Sequence, residues 1–163
     1  MATVSTLARA VGGKGNPGRK VYVVEKEIDL AAAATAKGSA LAAADIIQAI
    51  TVPAGALIVN AGMECTATPA GGTGTVLDLG VTGVDVDVFV DGFAFDSATA
   101  GDYAQNAAAF QPVVIGTEDT IDVLIQAAST VSTSGKVRVW AVLVDVSEIG
   151  VTEGAIADRD QLA

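Results

Sequence analysis

The stretch Ile46–Glu64, IIQAITVPAGALIVNAGME, restricts the fold of this chain more than any other. Ile46, Ile47, Ile50 and Val52 lead into Pro53-Ala54-Gly55, and Leu57, Ile58 and Val59 lead out of it. Proline presets φ for a turn and cannot donate to a central ladder, while glycine takes a positive φ at little steric cost. Two β-branched runs around such a turn predict strand, turn, strand, in the manner of a hairpin. A hairpin alone is marginal in water and needs more strands against its apolar face.

The rest of the chain offers them. Lys20–Leu30 reads as a first strand, with Val21, Val23, Ile28 and Leu30 apolar. The outgoing run continues through Gly62–Thr68, where Met63 and Cys65 share a face on a period of two. Thr75–Gly80, Gln111–Gly116, Asp119–Ala127 and Lys136–Val146 follow as further strands. The last is apolar on both faces in its second half, as in the centre of a sandwich. Ala31–Ala44 is alanine-rich but has no large apolar stripe, and Gly38-Ser39 interrupts it. It is expected to be an extended connection with one turn of helix at Ala40–Ala44. About seven strands with Gly, Thr and Ser loops predict an all-β fold, an antiparallel β-sandwich with jelly-roll-like connections.

Charge divides the chain further. The formal charge is −10, yet Met1–Lys26 holds five of the nine basic residues against a single acid, a local +4 that leaves −14 on the remainder. Residues 1–19 are expected to be a flexible basic arm, 20–147 the sandwich and 148–163 an acidic tail. Thr6–Val11 can form one helical turn, which Gly12–Gly18 cannot continue. Arg9, Lys14, Arg19 and Lys20 are the candidate partner-binding residues, suited to an acidic surface. Nucleic acid is not the expected partner, because the arm lacks aromatic residues for stacking and the acidic body repels phosphate. Gly13, Gly15 and Gly18 match G-x-G-x-x-G, but a dinucleotide site needs a strand before it and a helix after it. A strand signal follows instead, so this is a hinge.

Several function classes drop out on composition. The chain contains no histidine, which removes Ser-His-Asp and Cys-His nucleophile systems, imidazole bases and His-containing zinc sites. Cys65 is the only cysteine, so no intrachain disulfide forms and a buried, inert thiol is expected. No apolar run reaches the roughly 18 residues of a membrane span, and no secretory leader is visible. A soluble protein made in the cytoplasm is expected.

Two segments invite a functional reading. In Val84–Asp91, VDVDVFVD, a strand places Asp85, Asp87 and Phe89 on one side and the valines on the other. Alternating carboxylates can bind a hard cation when loops add oxygens, and Asp78, Asp91 and Asp96 are near in sequence. No calcium-loop spacing is met, so a solvated face of a half-buried element, or a polar loop, is the expectation, with no metal or cofactor needed for folding. Phe93–Phe110 holds four of the seven aromatic residues among small ones, a pattern suited to anchoring on a core or filling a subunit contact. With the apolar surplus, it predicts a homo-oligomer, specifically a homotrimer.

Taken together, IIQAITVPAGALIVNAG, TVLDLGVTGVDVDVFVDGF, PVVIGTEDTIDVLIQAA and GKVRVWAVLVDVS resemble a family of small structural proteins of tailed phages, notably those of marine and cyanobacterial hosts. The resemblance spans roughly Val21–Ser147. It implies a virion structural protein of the capsid decoration, or cement, type that binds the outer surface of the major capsid protein shell, is made in the host cytoplasm and carries no catalytic motif. In that family the segment D-x-G-x-T-G-x-D, here Asp78–Asp85, resembles a polar turn. The alternative is a receptor- or carbohydrate-binding module of a head or tail fibre, which usually displays more aromatic residues than the seven here. A glycosidase needs two carboxylates flanking a cleft, and no cleft loops are evident.

Overall fold

A computed structural model describes the backbone of residues 3–9 and the whole of residues 21–105 and 111–146. Ten strands, one α-helix and a single 3-10 turn at Phe95–Ser97 fall within these segments. The strands are β1 (Thr3–Arg9), β2 (Val21–Asp29), β3 (Ile46–Val52), β4 (Ala56–Ala70), β5 (Val76–Val81), β6 (Asp85–Ala94), β7 (Tyr103–Gln105), β8 (Val113–Val114), β9 (Asp119–Ala127) and β10 (Ser134–Asp145). The helix is α1 (Leu30–Lys37). They form an all-β sandwich: one sheet runs β1-β3-β9-β5-β6, and the other runs β2-β10-β4-β7 with β8 also paired to β4. Among the described residues every pairing is antiparallel except β1 with β3.

The turn at Pro53 does not close a hairpin. β3 and β4 belong to different sheets, so Pro53–Ala56 is the corner between the two layers. Ala56 N bonds Pro53 O at 3.2 Å, and Gly55 adopts φ +82°. Gly55 N then donates to Ile115 O (2.7 Å), and its carbonyl accepts from Val146 N (2.8 Å). With the corner's polar groups taken by two other segments, and no N–H on Pro53, no ladder can start between the arms.

Two other expectations are corrected. Residues 3–9, assigned to a flexible arm with a helical turn, instead form β1, whose Thr3 and Val4 pair with Ile46 and Ile47. The alanine-rich stretch is helical at its start, over Leu30–Lys37, and not at Ala40–Ala44. Asp29 Oδ1 accepts from Ala31 N and Ala32 N at 2.9 and 3.2 Å, and Gly38 closes the helix in the left-handed region. Leu30 and Ala33 are the buried pair, so the helix is held by two contact points and has no wide apolar stripe. The Lys37 ammonium, 2.5 Å from the buried Asp45 carboxylate, fastens the helix end to the chain entering β3.

The core lies between the sheets. β10 is its spine: Val137, Val139, Ala141 and Leu143 are fully buried and alternate with half-buried residues. Ile58, Ala61, Met63 and Cys65 of β4 pack beside them, and Ile121, Val123 and Ile125 with Leu77, Leu79 and Val81 line the facing sheet. Cys65 is completely buried and its thiol pKa is pushed up, chiefly by that burial, in keeping with an inert residue. Phe95 is fully buried and meets half-buried Phe93 at 6.3 Å between ring centres, whereas Tyr103 stands in solvent. Phe110 lies outside the described residues.

Candidate functional site

The outer faces of the two sheets differ in chemistry, and each follows from strand register. On β5, Leu77, Leu79 and Val81 enter the core, so Asp78 and Gly80 face outward. Opposite them β6 is irregular. Leu77 pairs with Phe93 and Leu79 with Val90, so Asp78 alone opposes Asp91 and Gly92. Leu79 pairs with Val90 and Val81 with Asp85, so Gly80 alone opposes Val86–Phe89. The excess backbone lies over Gly80, where a Cβ would stand 2.2 Å from Asp85 O and 2.3 Å from Val86 C. Gly92, at φ +80°, forms the second bulge and donates its N–H to Asp78 Oδ1 at 2.7 Å.

These bulges turn β6 so that Asp78, Asp87 and Asp91 bring carboxylate oxygens within 4.8 Å of one another. Asp78 is buried and its pKa is raised, mainly by loss of solvent, against the opposing bond from Gly92. Asp87 is raised as well, first by the Asp85 carboxyl beside it, then by loss of solvent and the other nearby acids. On neighbouring β9, Asp122 is buried with Oδ2 held by Thr82 Oγ1, while Oδ1 has no hydrogen-bond partner among the described residues. Burial is the first cause of its raised pKa. Such a face relieves its repulsion by holding protons; oxygen ligands this close also suit a hard cation. Of the acids singled out in the sequence, Asp78, Asp87 and Asp91 come together, Asp85 lies close enough to act on Asp87, and Asp96 lies apart, accepting from Gly74 N.

The strand reading of β6 is therefore right from Asp85 onward, and the polar turn expected within Asp78–Asp85 is Thr82–Val84. The predicted alternation fails because Val88, Phe89 and Val90 are all buried across the bulge.

The outer face of the other sheet is laid out in rows. Val21, Val144, Leu57 and Val114 stand side by side on β2, β10, β4 and β8. Val23, Val142 and Asn60 form the next row, then Glu25, Trp140, Gly62 and Gln105. Beyond them come Glu27, Arg138, Glu64 and Tyr103, and finally Asp29 beside Lys136. One half of the face is aliphatic and the other charged. In the charged half Lys136 meets Glu27 at 3.0 Å and Arg138 meets Glu64 at 2.5 Å. Both acids sit among cations, and Glu27 is held below the usual carboxylate range, first by its bond to Lys136. Trp140 marks the boundary and lies over Gly62, where an added Cβ would come within 2.7 Å of its ring.

A shallow open depression of about 400 Å³ runs along Phe93, Ser97, Gly101 and Tyr103. Its polar groups are already engaged: Ser97 Oγ donates to Ala94 O, and Asp102 accepts from Thr99 N and Oγ1. Of the basic residues proposed to bind a partner, Arg9 ends β1 opposite Thr51, with only its backbone described. Lys14, Arg19 and Lys20 lie outside the described residues.

No family model matches the chain, and no curated protein matches it in sequence. The fold does have counterparts among solved structures. A chain from the capsid of Ralstonia phage GP4 superposes with a TM-score of 0.61 at 17% identity, covering 88% of this chain and all of that one. A chain from the acid-stable capsid of Helicobacter pylori bacteriophage KHP30 gives 0.56 at 11% identity, over 80% of this chain and 92% of that one. A chain from the capsid asymmetric unit of cyanophage Pam1 gives 0.57 at 18% identity, over 84% and 93%. This likeness is one of fold, extending over nearly the full length of each counterpart.

Proposed function

We propose that this protein is a structural component of a tailed-phage virion, and specifically a decoration protein that binds the outside of the major capsid protein shell and stiffens it as a homotrimer. The observation that carries the reading is the near end-to-end match of this two-sheet fold to chains found in three phage capsids. The absence of histidine, the alanine- and valine-rich body and the acidic outer face suit a passive part better than a catalyst. In this reading Arg9, Lys14, Arg19 and Lys20 contact acidic patches of coat subunits. The aliphatic face of the β2-β10-β4 sheet stays clear of the acid-rich face.

The test is direct. Antibody-labelled electron microscopy of purified virions should find the protein on the outer head surface, and shells stripped of it should break at lower temperature than shells carrying it. Label confined to the tail, or absence from washed particles, would refute the decoration role.

A further inference from the structure

We infer that the polar half of the β10-β4-β7 face, around Trp140 and Tyr103, binds a neutral oligosaccharide chain, a role independent of the virion reading. Trp140, the one tryptophan of the chain, is half-buried, and its indole lies across β4 where residue 62 would carry a side chain. A glycine inside a strand weakens it and marks a place that something must approach closely. At Gly62 that something is the Trp140 ring, 2.7 Å from where a Cβ would stand. The indole therefore rests on backbone and turns its other side outward, while Val139 and Ala141 on either side of it enter the core. Tyr103, one row on and two strands across, is 65% exposed, its backbone about 12 Å from that of Trp140. From Tyr103 the surface falls into the open depression bounded by Phe93 and Gly101. Two aromatic rings placed this way suit a ligand with apolar C–H faces.

The polar groups beside the rings decide the class of ligand. Arg138 and Glu64 stand between Trp140 and Tyr103, and their salt bridge orients both. Arg138 uses only Nη2 for a hydrogen bond among the described residues, so the other N–H donors of its fork stay open. Glu64 Oε1 and the exposed Gln105 amide, which lies beside Gly62, have no hydrogen-bond partner among the described residues. Open donors and acceptors side by side match a hydroxyl, which gives one bond and takes another. An anion would meet Glu64, Glu25 and a molecule of net charge −10, and a cation would meet Arg138 and Lys136. A polyol carrying both C–H and O–H faces meets neither objection. The separation of the rings calls for a chain of sugars rather than a single one.

The site is open and shallow, so the affinity is modest, with Kd about 0.1–1 mM. Because Trp140 is the only tryptophan, its emission reports a ligand on the ring without a label. The full chain is titrated with maltohexaose, laminarihexaose and triacetylchitotriose, each to about 10 mM. At least one should give a saturable change in emission that persists in about 0.5 M salt, since no ion pair joins protein to ligand. Tyr103→Ala and Gln105→Ala, both at exposed positions, should each weaken binding about fivefold, whereas Val114→Ser, at the far end of the same sheet, should leave it unchanged. Circular dichroism melting accompanies each variant, so if one fails to fold the other decides. No saturable change with any of the three sugars, an undiminished response in either folded variant, or a stronger response to choline chloride or sodium sulfate than to every sugar would each overturn the inference.

Discussion

Replacing Gly80 with alanine tests the bulge that builds the acidic face. Gly80 is not in the left-handed region, so elsewhere on a strand the extra methyl would be tolerated and would stabilise by up to about 1 kcal/mol through the unfolded chain. Here the new Cβ would stand 2.2 Å from Asp85 O, 2.3 Å from Val86 C and 2.5 Å from Val86 O. All three are backbone atoms of a paired strand, so no side chain can simply swing away. Bringing them to ordinary contact requires β6 to lift by about 1 Å, a distortion in the range of about 1–3 kcal/mol for overpacking. We expect Gly80→Ala to lose about 2 kcal/mol in urea unfolding, a fall in Tm of roughly 4–10 °C for a body of this size. Lifting β6 also opens Asp78 to water, and since burial is the first cause of its raised pKa, the Asp78 carboxyl should titrate closer to an ordinary aspartate by NMR. Gly116→Ala, with no atom within 4 Å of the added Cβ and no positive φ, is the matched control and should be neutral or slightly stabilising. Gly80→Ala at or above wild-type stability would refute the packing argument.

Acidification from pH 7 towards about 4 should raise Tm: Asp78, Asp87 and Asp122 have folded pKa values above their ordinary range, so the stability they contribute is full below their unfolded values and is lost as pH rises through the folded ones. Below about pH 4 the trend should reverse as Glu27 and Asp102, whose values are lowered, become protonated; calorimetry across pH 3–8 checks both limbs. Asp78→Asn keeps an acceptor for Gly92 N and should raise Tm at pH 7 while flattening the acid limb; an unchanged profile would remove burial of Asp78 as its cause. EDTA should leave Tm within about 2 °C of the untreated protein, since main-chain ladders and a continuous apolar core hold the sheets without a cation; a large drop reversed by calcium would make Asp78, Asp87 and Asp91 ligands. Deleting residues 1–9 removes β1 from beside β3 and should lower Tm by several degrees, which a calorimetric scan would register against the full chain.

Strand positions were legible because burial on one or both faces leaves a period in the sequence. β9 runs over the very residues its alternation predicts, and β10 differs from its predicted span by two residues at the start and one at the end. Partners were less legible. The Pro53-Ala54-Gly55 signal specifies a turn but not whether its arms pair or part, because bonds from Ile115 and Val146, far along the chain, decide that. The helix at Leu30–Lys37 was hidden for a related reason: Asp29 and Gly38 are its start and stop, yet alanines that bury little leave no stripe between them. The acidic cluster was half visible. Asp85, Asp87 and Asp91 stand out in sequence, and Asp-Gly at 91–92 signals a bulge or turn, but only the pairing of β5 with β6 shows that Asp78 completes the group.

The two outer faces also constrain how the molecule can be used. Both belong to sheets whose inner sides share one core, so neither can be remade without disturbing the other. The face over Gly80 concentrates carboxylates with raised pKa values, at a cost to the fold that grows towards neutral pH. Acids held that way would be further desolvated by an apolar partner and repelled by another copy, so water, protons or cations are the neighbours they tolerate. The β2-β10-β4 face has the opposite preference: its aliphatic rows gain from leaving water, and its charged rows are already matched internally through Lys136 and Arg138. A chain built this way has one side to keep wet and one to cover. Whatever assembly it enters should leave Asp91 reachable by solvent while withdrawing Val23 from it.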